Sequence, residues 1–300
     1  MLMEPSAPPP KSLDWIRDVI GRGSRIAQVR RLEGSSFIEG HAIDVVDGRG
    51  AIHRLVLRRW AATGCEETDR DLDARREATI LRLLADSEVP APRLIAADPQ
   101  GEVGGVPALL MTFLPGRPPP ERPRELGPFL LELATVLEAI HSVDTRGLVP
   151  PYRRYFEPPE LEVPSWGRRP EVWRRAIAFA HEPSPSGRDC FIHRDFHPGN
   201  TLWSGGTITG VVDWSYGSYG PAAVDLAHLR WNIALDFGVA GADQVLAAHR
   251  SVRGGAADHH PYWDVVDVLD LARDLDPADL PPRKHLDLLE AYLSAVLKAV

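Results

Sequence analysis

The segment Phe191 to Trp214, F-I-H-R-D-F-H-P-G-N-T-L-W-S-G-G-T-I-T-G-V-V-D-W, constrains this chain more than any other. An apolar strand leads into His193-Arg194-Asp195, and Asn200 follows five positions after Asp195. A short strand, the turn Ser204-Gly205-Gly206 and a second strand then end at Asp213. Pro198-Gly199 keeps the stretch after Asp195 out of a helix. One strand, loop and hairpin therefore carry a carboxylate, a carbonyl-type side chain and a second carboxylate. That set suits a reaction needing little covalent help from the protein: a base to orient an acceptor hydroxyl, and oxygen ligands for a hard cation. His193 and His197 stand four apart, which would suit zinc on a helix, but they fall in a loop with no third ligand evident.

Around this segment the pattern changes from strands to helices. A short helix is expected from Ser12 to Ile20, ended by Gly21. Three strands follow at Ile26–Leu32, Phe37–Val46 and Ala51–Arg59, the last two joined by the hairpin signal Asp47-Gly48-Arg49-Gly50. Asp71 to Leu84 places Leu72, Ile80, Leu81 and Leu84 among charges and predicts an amphipathic helix. Strands at Arg93–Ala97 and Ala108–Phe113 complete a small antiparallel-sheet lobe. Leu114-Pro115-Gly116 and the proline-rich stretch to Pro123 mark a boundary. Beyond it come helices at Leu126–His141 and near Glu171–His181, then helices again after Asp213. The expected organisation is a disordered lead-in over residues 1–11, a sheet lobe over 12–115 and a larger helical lobe over 116–300, an α+β architecture.

Composition limits the partners. The net charge of -8 argues against nucleic acid or an anionic membrane surface. The residues after Pro115 hold 19 basic and 25 acidic side chains, so -6 of that charge lies in the helical part. Such a bias would suit a cationic small molecule or simply a solvated acidic surface. Asp264, Asp267, Asp270 and Asp274 could line a pocket for an amine, and equally the last three could be one exposed helical stripe. Cys65 and Cys190 are too few for a disulfide framework and fit a reducing, cytoplasmic setting, with Cys190 expected as a buried inert thiol. The opening M-L-M-E-P-S-A-P-P-P-K lacks the basic and apolar regions of a signal peptide, and Val106–Leu114 is too short an apolar run to cross a membrane.

H-R-D-F-H-P-G-N matches the kinase catalytic-loop pattern H-R-D-L-x-x-x-N. Its His-Pro-Gly-Asn form, followed by V-V-D-W and by D-L-A at Asp225–Ala227, resembles the aminoglycoside phosphotransferase family over roughly Gly34 to Phe237. The resemblance implies a two-lobed protein-kinase-like fold and Mg2+-dependent transfer of the γ-phosphoryl of ATP or GTP to a small molecule. It implies that Asp195 is the catalytic base and that Asn200 and Asp213 are magnesium ligands. Trp214 takes the place of the Phe in the kinase Asp-Phe-Gly triplet. His197 stands where protein kinases carry a phosphate-contacting Lys, and could hold the transferred group or simply shape the loop. His193 and Asp225 are implied as structural, Asp225 bracing the loop through backbone N–H groups.

The same resemblance reaches into the first lobe. Arg58, after Val-Leu on the third strand, is in the position of the kinase phosphate-binding Lys, and Glu77, 19 residues later, is in that of its partner. Arg keeps the charge but departs from the kinase pattern. The pair is expected to be exposed, and ordinary edge-strand arginines are the alternative. Ser35 and Ser36 lie in the turn where backbone N–H groups could contact phosphates, although the G-x-G-x-x-G of protein kinases is missing. Thr112 and Leu114 are in the position of the hinge that offers backbone groups to a purine. Twelve positions from Asp213 to Asp225, and no Ala-Pro-Glu, are too little for the activation segment of a protein kinase. The expected acceptor is an aminoglycoside or other antibiotic. The alternatives are a metabolite such as a choline-like amine or a sugar, or a catalytically inactive nucleotide-binding module.

Overall fold

The computed structural model describes residues 7–32, 38–61, 67–120, 122–154 and 161–300. It divides into two compact units: Met1–Gly116 with Thr209–Tyr216, and Arg117–Ile208 with Gly217–Val300.

The first unit is built on a five-stranded antiparallel sheet. In chain order its strands are β1 (Arg25–Arg31), β2 (Glu39–Val46), β3 (Ile52–Arg59), β4 (Leu94–Asp98) and β5 (Ala108–Thr112), arranged β1-β2-β3-β5-β4. Helix α1 (Pro10–Ile20) precedes them and α2 (Glu67–Leu84) lies between β3 and β4 in sequence. Pro10 and Lys11, expected within an unstructured lead-in, belong to α1, because proline at the first helical turn has its φ preset and needs no N–H partner there. The Asp47 turn forms as its sequence suggests. The Asp47 carboxylate accepts the N–H groups of Arg49 and Ala51, and Gly50 takes φ 87°.

The alternation of β2 and β3 decides which side chains reach which face. Ile43, Val45, Leu55 and Leu57 face α1, where Trp15 and Ile16 cover them together with Ala108 and Leu110. Ile43 and Leu57 are fully buried, worth about 1.5–3 kcal/mol each relative to exposure. Arg58 then points to the opposite face, opposite Leu109 in the register. β3 lies between β2 and β5, so Arg58 and Arg59 are not edge-strand residues.

The second unit is mainly helical: α3 (Leu126–His141), α4 (Pro170–Ala180), α5 (Ala222–Arg253), α6 (Pro261–Asp274) and α7 (Arg283–Val296). Trp173, Ala176, Ala227, Val265, Val268, Tyr292 and Leu293 belong to one buried cluster drawn from α4 to α7. α5 is broken at Gly238, whose φ of 69° and ψ of -177° are non-helical. Four short strands remain, the third of which in chain order runs on into the first unit. β6 (Asp189–Ile192) pairs antiparallel with β9 (Ser218–Pro221), and β7 (Thr201–Ser204) pairs with β8 (Thr207–Val211). Gly205 and Gly206, at φ 61° and 89°, make the two-residue turn of that ribbon, which needs positive φ at both positions. Cys190 is buried on β6, and burial pushes its thiol up to about 12, so it is inert at neutral pH. Among the described residues no helix is long and apolar enough to cross a membrane.

Candidate active site

In the second unit, β6 ends at Ile192 and the chain turns sharply through His193, Arg194 and Asp195. Arg194 adopts a left-handed backbone, φ 72°, a conformation that costs a non-glycine residue of order 1–3 kcal/mol unless its surroundings hold it. Asp225 provides that hold. It is fully buried at the start of α5, and its two oxygens accept the backbone N–H of His193 at 2.8 Å and of Arg194 at 2.6 Å. His141 Nε2, on α3, lies 3.0 Å from Asp225 Oδ2 and must be its donor, since a carboxylate only accepts. Burial, which would raise the Asp225 pKa, is outweighed by His141, His193 and the loop N–H groups. Asp225 thus braces the loop as its sequence position implies. His193 is buried beside the Phe196 ring, and its Nδ1 lies 3.3 Å from the Asp195 N–H.

Asp195 is held on both oxygens. Asn200 Nδ2 donates to Asp195 Oδ2 at 2.8 Å and to the Asp195 backbone carbonyl at 2.9 Å. His228 Nε2 lies 3.1 Å from Asp195 Oδ1, while His228 Nδ1 lies 2.9 Å from Asp267 Oδ2. Both partners of this imidazole are carboxylates, so both ring nitrogens carry protons and His228 is a cation. Burial works against that charge, but Asp267 and Asp195 outweigh it and raise the His228 pKa. Reciprocally, burial would raise the Asp195 pKa, and the His228 hydrogen bond and charge hold it well below the usual carboxylate range.

His197 caps the single turn of 3-10 helix Pro198–Asn200: its Nδ1 accepts the Gly199 N–H at 3.2 Å. A Cβ on residue 199 would come within 2.6 Å of the His197 ring, so glycine is required for this approach. The capping leaves the proton on His197 Nε2, which lies 3.8 Å from Asp195 Oδ1.

In the first unit, the residues expected to handle phosphate and metal converge on Arg58. Its Nη2 donates to Asp213 Oδ1 at 2.8 Å and to Ser215 Oγ at 3.2 Å, and its Nε lies 3.3 Å from Glu77 Oε2. Ser215 Oγ is also 3.2 Å from Glu77 Oε2, which closes the group. Expected at the surface, the Arg58–Glu77 pair is instead buried: the side chains are 14% and 1% exposed. Two carboxylates around one guanidinium on the covered face of the sheet explain the difference, and they hold the charge of Arg58 against burial. Asp213 has φ 65°, which re-aims its carboxylate at the end of β8. Trp214 is fully buried, with its Nε1 donating to the Val211 carbonyl at 3.0 Å. Thr112 is tied to Arg93, just before β4: its N–H donates to the Arg93 carbonyl and its Oγ1 accepts the Arg93 N–H. Leu114 follows just beyond β5. Ser35 and Ser36 lie outside the described residues.

A family model described as phosphotransferase enzyme family matches residues 41–262, which include all of these site residues except Asp267. The chain belongs to this family. No curated protein matches it in sequence. Among solved structures it is similar to a thermostable mutant of aminoglycoside phosphotransferase APH(4)-Ia in a ternary complex with AMP-PNP and hygromycin B, at 18% identity and TM-score 0.63, with 92% of this chain and 95% of that one covered. The macrolide 2'-phosphotransferase MphH from Brachybacterium faecium is 18% identical with TM-score 0.57, covering 88% and 89%. Amicoumacin kinase hAmiN, in complex with AMP-PNP, Ca2+ and Ami, is 15% identical with TM-score 0.54, covering 91% and 89%. The fold expected from the sequence, sheet lobe first and helical lobe second, is the fold of these phosphotransferases.

Within this phosphotransferase, sequence reasoning missed His228, Asp267 and Ser215. Ser215 lies two positions after Asp213 and His228 three after Asp225, but nothing in either spacing signals a partner. The acidic residues of α6 also differ from expectation. Asp264 is fully buried and is bonded to Arg230, His259 and Tyr292, while Asp267 holds His228 and the Trp231 indole N–H. Asp270 is buried as well, so Asp267 and Asp270 are not part of an exposed stripe, while the side chain of Asp274 lies outside the described residues; Asp264 is already paired and does not line an amine pocket.

Proposed function

We propose that this phosphotransferase transfers the γ-phosphoryl group of ATP or GTP to a hydroxyl of a small molecule, in a Mg2+-dependent reaction. The observation that carries the reading is the loop in which Asp195 is fixed by Asn200 on one oxygen and by His228 on the other. Phosphoryl transfer asks the protein mainly for positioning and charge stabilisation. A carboxylate with a depressed pKa is a weak base, which fits a group that orients the acceptor hydroxyl and takes its proton late. His197, with its Nε2 proton, acts as a donor to the transferred group.

Arg58, oriented by Glu77, contacts the nucleotide phosphates; a guanidinium has five N–H donors, more than Asp213 and Ser215 use. Ser35 and Ser36 contribute from their loop, and the backbones of Thr112 and Leu114 meet the purine. The donor set proposed for the metal is all oxygen, as Mg2+ requires. Asp213 offers a carboxylate, and Asn200 turns its amide nitrogen to Asp195, which leaves its carbonyl oxygen as the ligand. Mg2+, when bound, offsets charge on the nucleotide phosphates. Residues 12–115 then form the nucleotide-binding lobe, and 116–300 carry the catalytic loop and the acceptor-binding helices. A cytoplasmic location, where nucleoside triphosphates are abundant, suits this reaction.

The test is nucleotide consumption with ATP and with GTP across a panel of aminoglycosides, other antibiotics, choline-like amines and sugars, with and without a chelator. Acceptor-dependent turnover abolished by the chelator is expected. Asp195→Ala should lower it by about 10²- to 10⁴-fold while nucleotide binding persists. Nucleotide binding with no turnover on any acceptor favours an inactive binding module instead.

A further inference from the structure

Glu138 and His141 lie one turn apart on α3 and face His249 on α5. A carboxylate oxygen and one ring nitrogen from each histidine lie within 4.8 Å of one another. Both imidazoles are fully buried, and the Glu138 side chain is 19% exposed. Buried polar atoms ordinarily find hydrogen-bond partners. Here Glu138 Oε2, His141 Nδ1 and both nitrogens of His249 have none. The nearest approach among them, His249 Nε2 to Glu138 Oε2, is 3.5 Å.

The orientation of His141 follows from the catalytic loop. Its Nε2 donates to Asp225, so the partnerless Nδ1 is the nitrogen left for a ligand. A histidine whose second nitrogen is bound to a carboxylate is the arrangement by which proteins orient metal-ligating imidazoles. His249 is fully buried with neither ring nitrogen partnered, which leaves one of them to ligate a cation. Glu138 is held through its other oxygen, Oε1, which accepts from Arg188 and Arg253 at 2.7 and 3.4 Å and leaves Oε2 to the histidines. Those two guanidiniums are in turn shared with Asp258. Three carboxylates, Asp225, Glu138 and Asp258, and two guanidiniums, Arg188 and Arg253, thus surround the two imidazoles.

We propose that Glu138, His141 and His249 form a second metal site, for a divalent cation of the zinc class. Two imidazoles and one carboxylate suit zinc, with the fourth position left to water, and not magnesium, which takes oxygen ligands. The site is therefore chemically distinct from Asn200 and Asp213. It holds Asp225 through His141, and through Asp225 the backbone N–H groups of His193 and Arg194.

Chelator-treated full-length protein titrated with Co2+ alone, then with Zn2+, tests the site. The expected result is one equivalent of Co2+ giving a visible absorption spectrum of low coordination number, displaced by Zn2+ and not by Mg2+. Glu138→Gln, which preserves shape, and His249→Ala should each weaken Co2+ binding by at least about 100-fold, more than loss of an outer partner would. Circular dichroism confirms that each variant is folded. Absence of a stoichiometric spectrum overturns the proposal, as does a spectrum that persists in both variants.

Discussion

His228 Nε2 lies 3.1 Å from Asp195 Oδ1, which places a buried imidazolium against the proposed catalytic base. The ring is fixed from behind by Asp267, and Asp267 by the Trp231 indole N–H. The arrangement depresses the affinity of Asp195 for protons and fixes the direction of its carboxylate.

Replacing His228 by Gln keeps a hydrogen-bond donor and removes the charge. Burial, which raises the Asp195 pKa, then acts unopposed by the largest lowering cause. The acid limb of the kcat/KM pH profile should therefore move to higher pH in His228→Gln. If His228 only packed the loop, the variant would be slower at every pH with the limb in place, and that outcome refutes the electrostatic role.

Stability should carry the same signature at the alkaline end. The folded-state pKa of His228 is raised above its ordinary 6.5, to about 10. Its contribution is then fully present below about 6.5 and is lost as pH rises through about 10. Urea unfolding of wild type and His228→Gln at several pH values reads this directly. The difference between them should shrink as pH rises above neutrality towards 10 and beyond; a constant difference would rule out the linkage.

Asp213 brings a full negative charge to the proposed metal, and Asn200 only a dipole. Asp213→Asn should therefore weaken Mg2+-dependent nucleotide binding or turnover more than Asn200→Asp does. Titrating Mg2+ at fixed nucleotide separates this from loss of the Arg58 contact, which would not shift the Mg2+ midpoint. Equal, Mg2+-independent losses in both variants would remove the pair from metal binding.

How far the sequence reads through to these sites depends on the kind of interaction. Asp195, Asn200 and Asp213 are legible because one strand–loop–hairpin fixes them locally, and Arg58 with Glu77 because the resemblance to kinases marks their positions on the third strand and the helix after it. His228–Asp267 is not legible: the partners lie 39 residues apart on two helices, and only the packing of α5 on α6 brings them together. For the same reason Asp267 and Asp270 could read as part of a solvated stripe, since a charged residue gives no sign in sequence of the partners that let it be buried. The depth of Arg58 was also hidden, because membership of β3 does not reveal that β5, far along the chain, covers its other edge.

That depth changes what Glu77 should do. For an exposed pair the cost of Glu77→Ala would be about 0–1 kcal/mol and the penalty purely catalytic. Glu77 is 1% exposed, and its removal leaves the buried Arg58 guanidinium with Asp213 and Ser215 alone. Breaking a buried pair from one side costs about 3–5 kcal/mol, and the remaining Asp213 contact sets the expectation at the lower end, near 3 kcal/mol. Glu77→Ala should therefore lower the urea midpoint as well as raise the nucleotide KM. Glu77→Gln, which keeps an oxygen near Arg58 Nε and Ser215, should recover much of the stability and less of the KM, because it no longer balances the guanidinium charge. A Glu77→Ala protein as stable as wild type would mean that Asp213 alone suffices to hold Arg58.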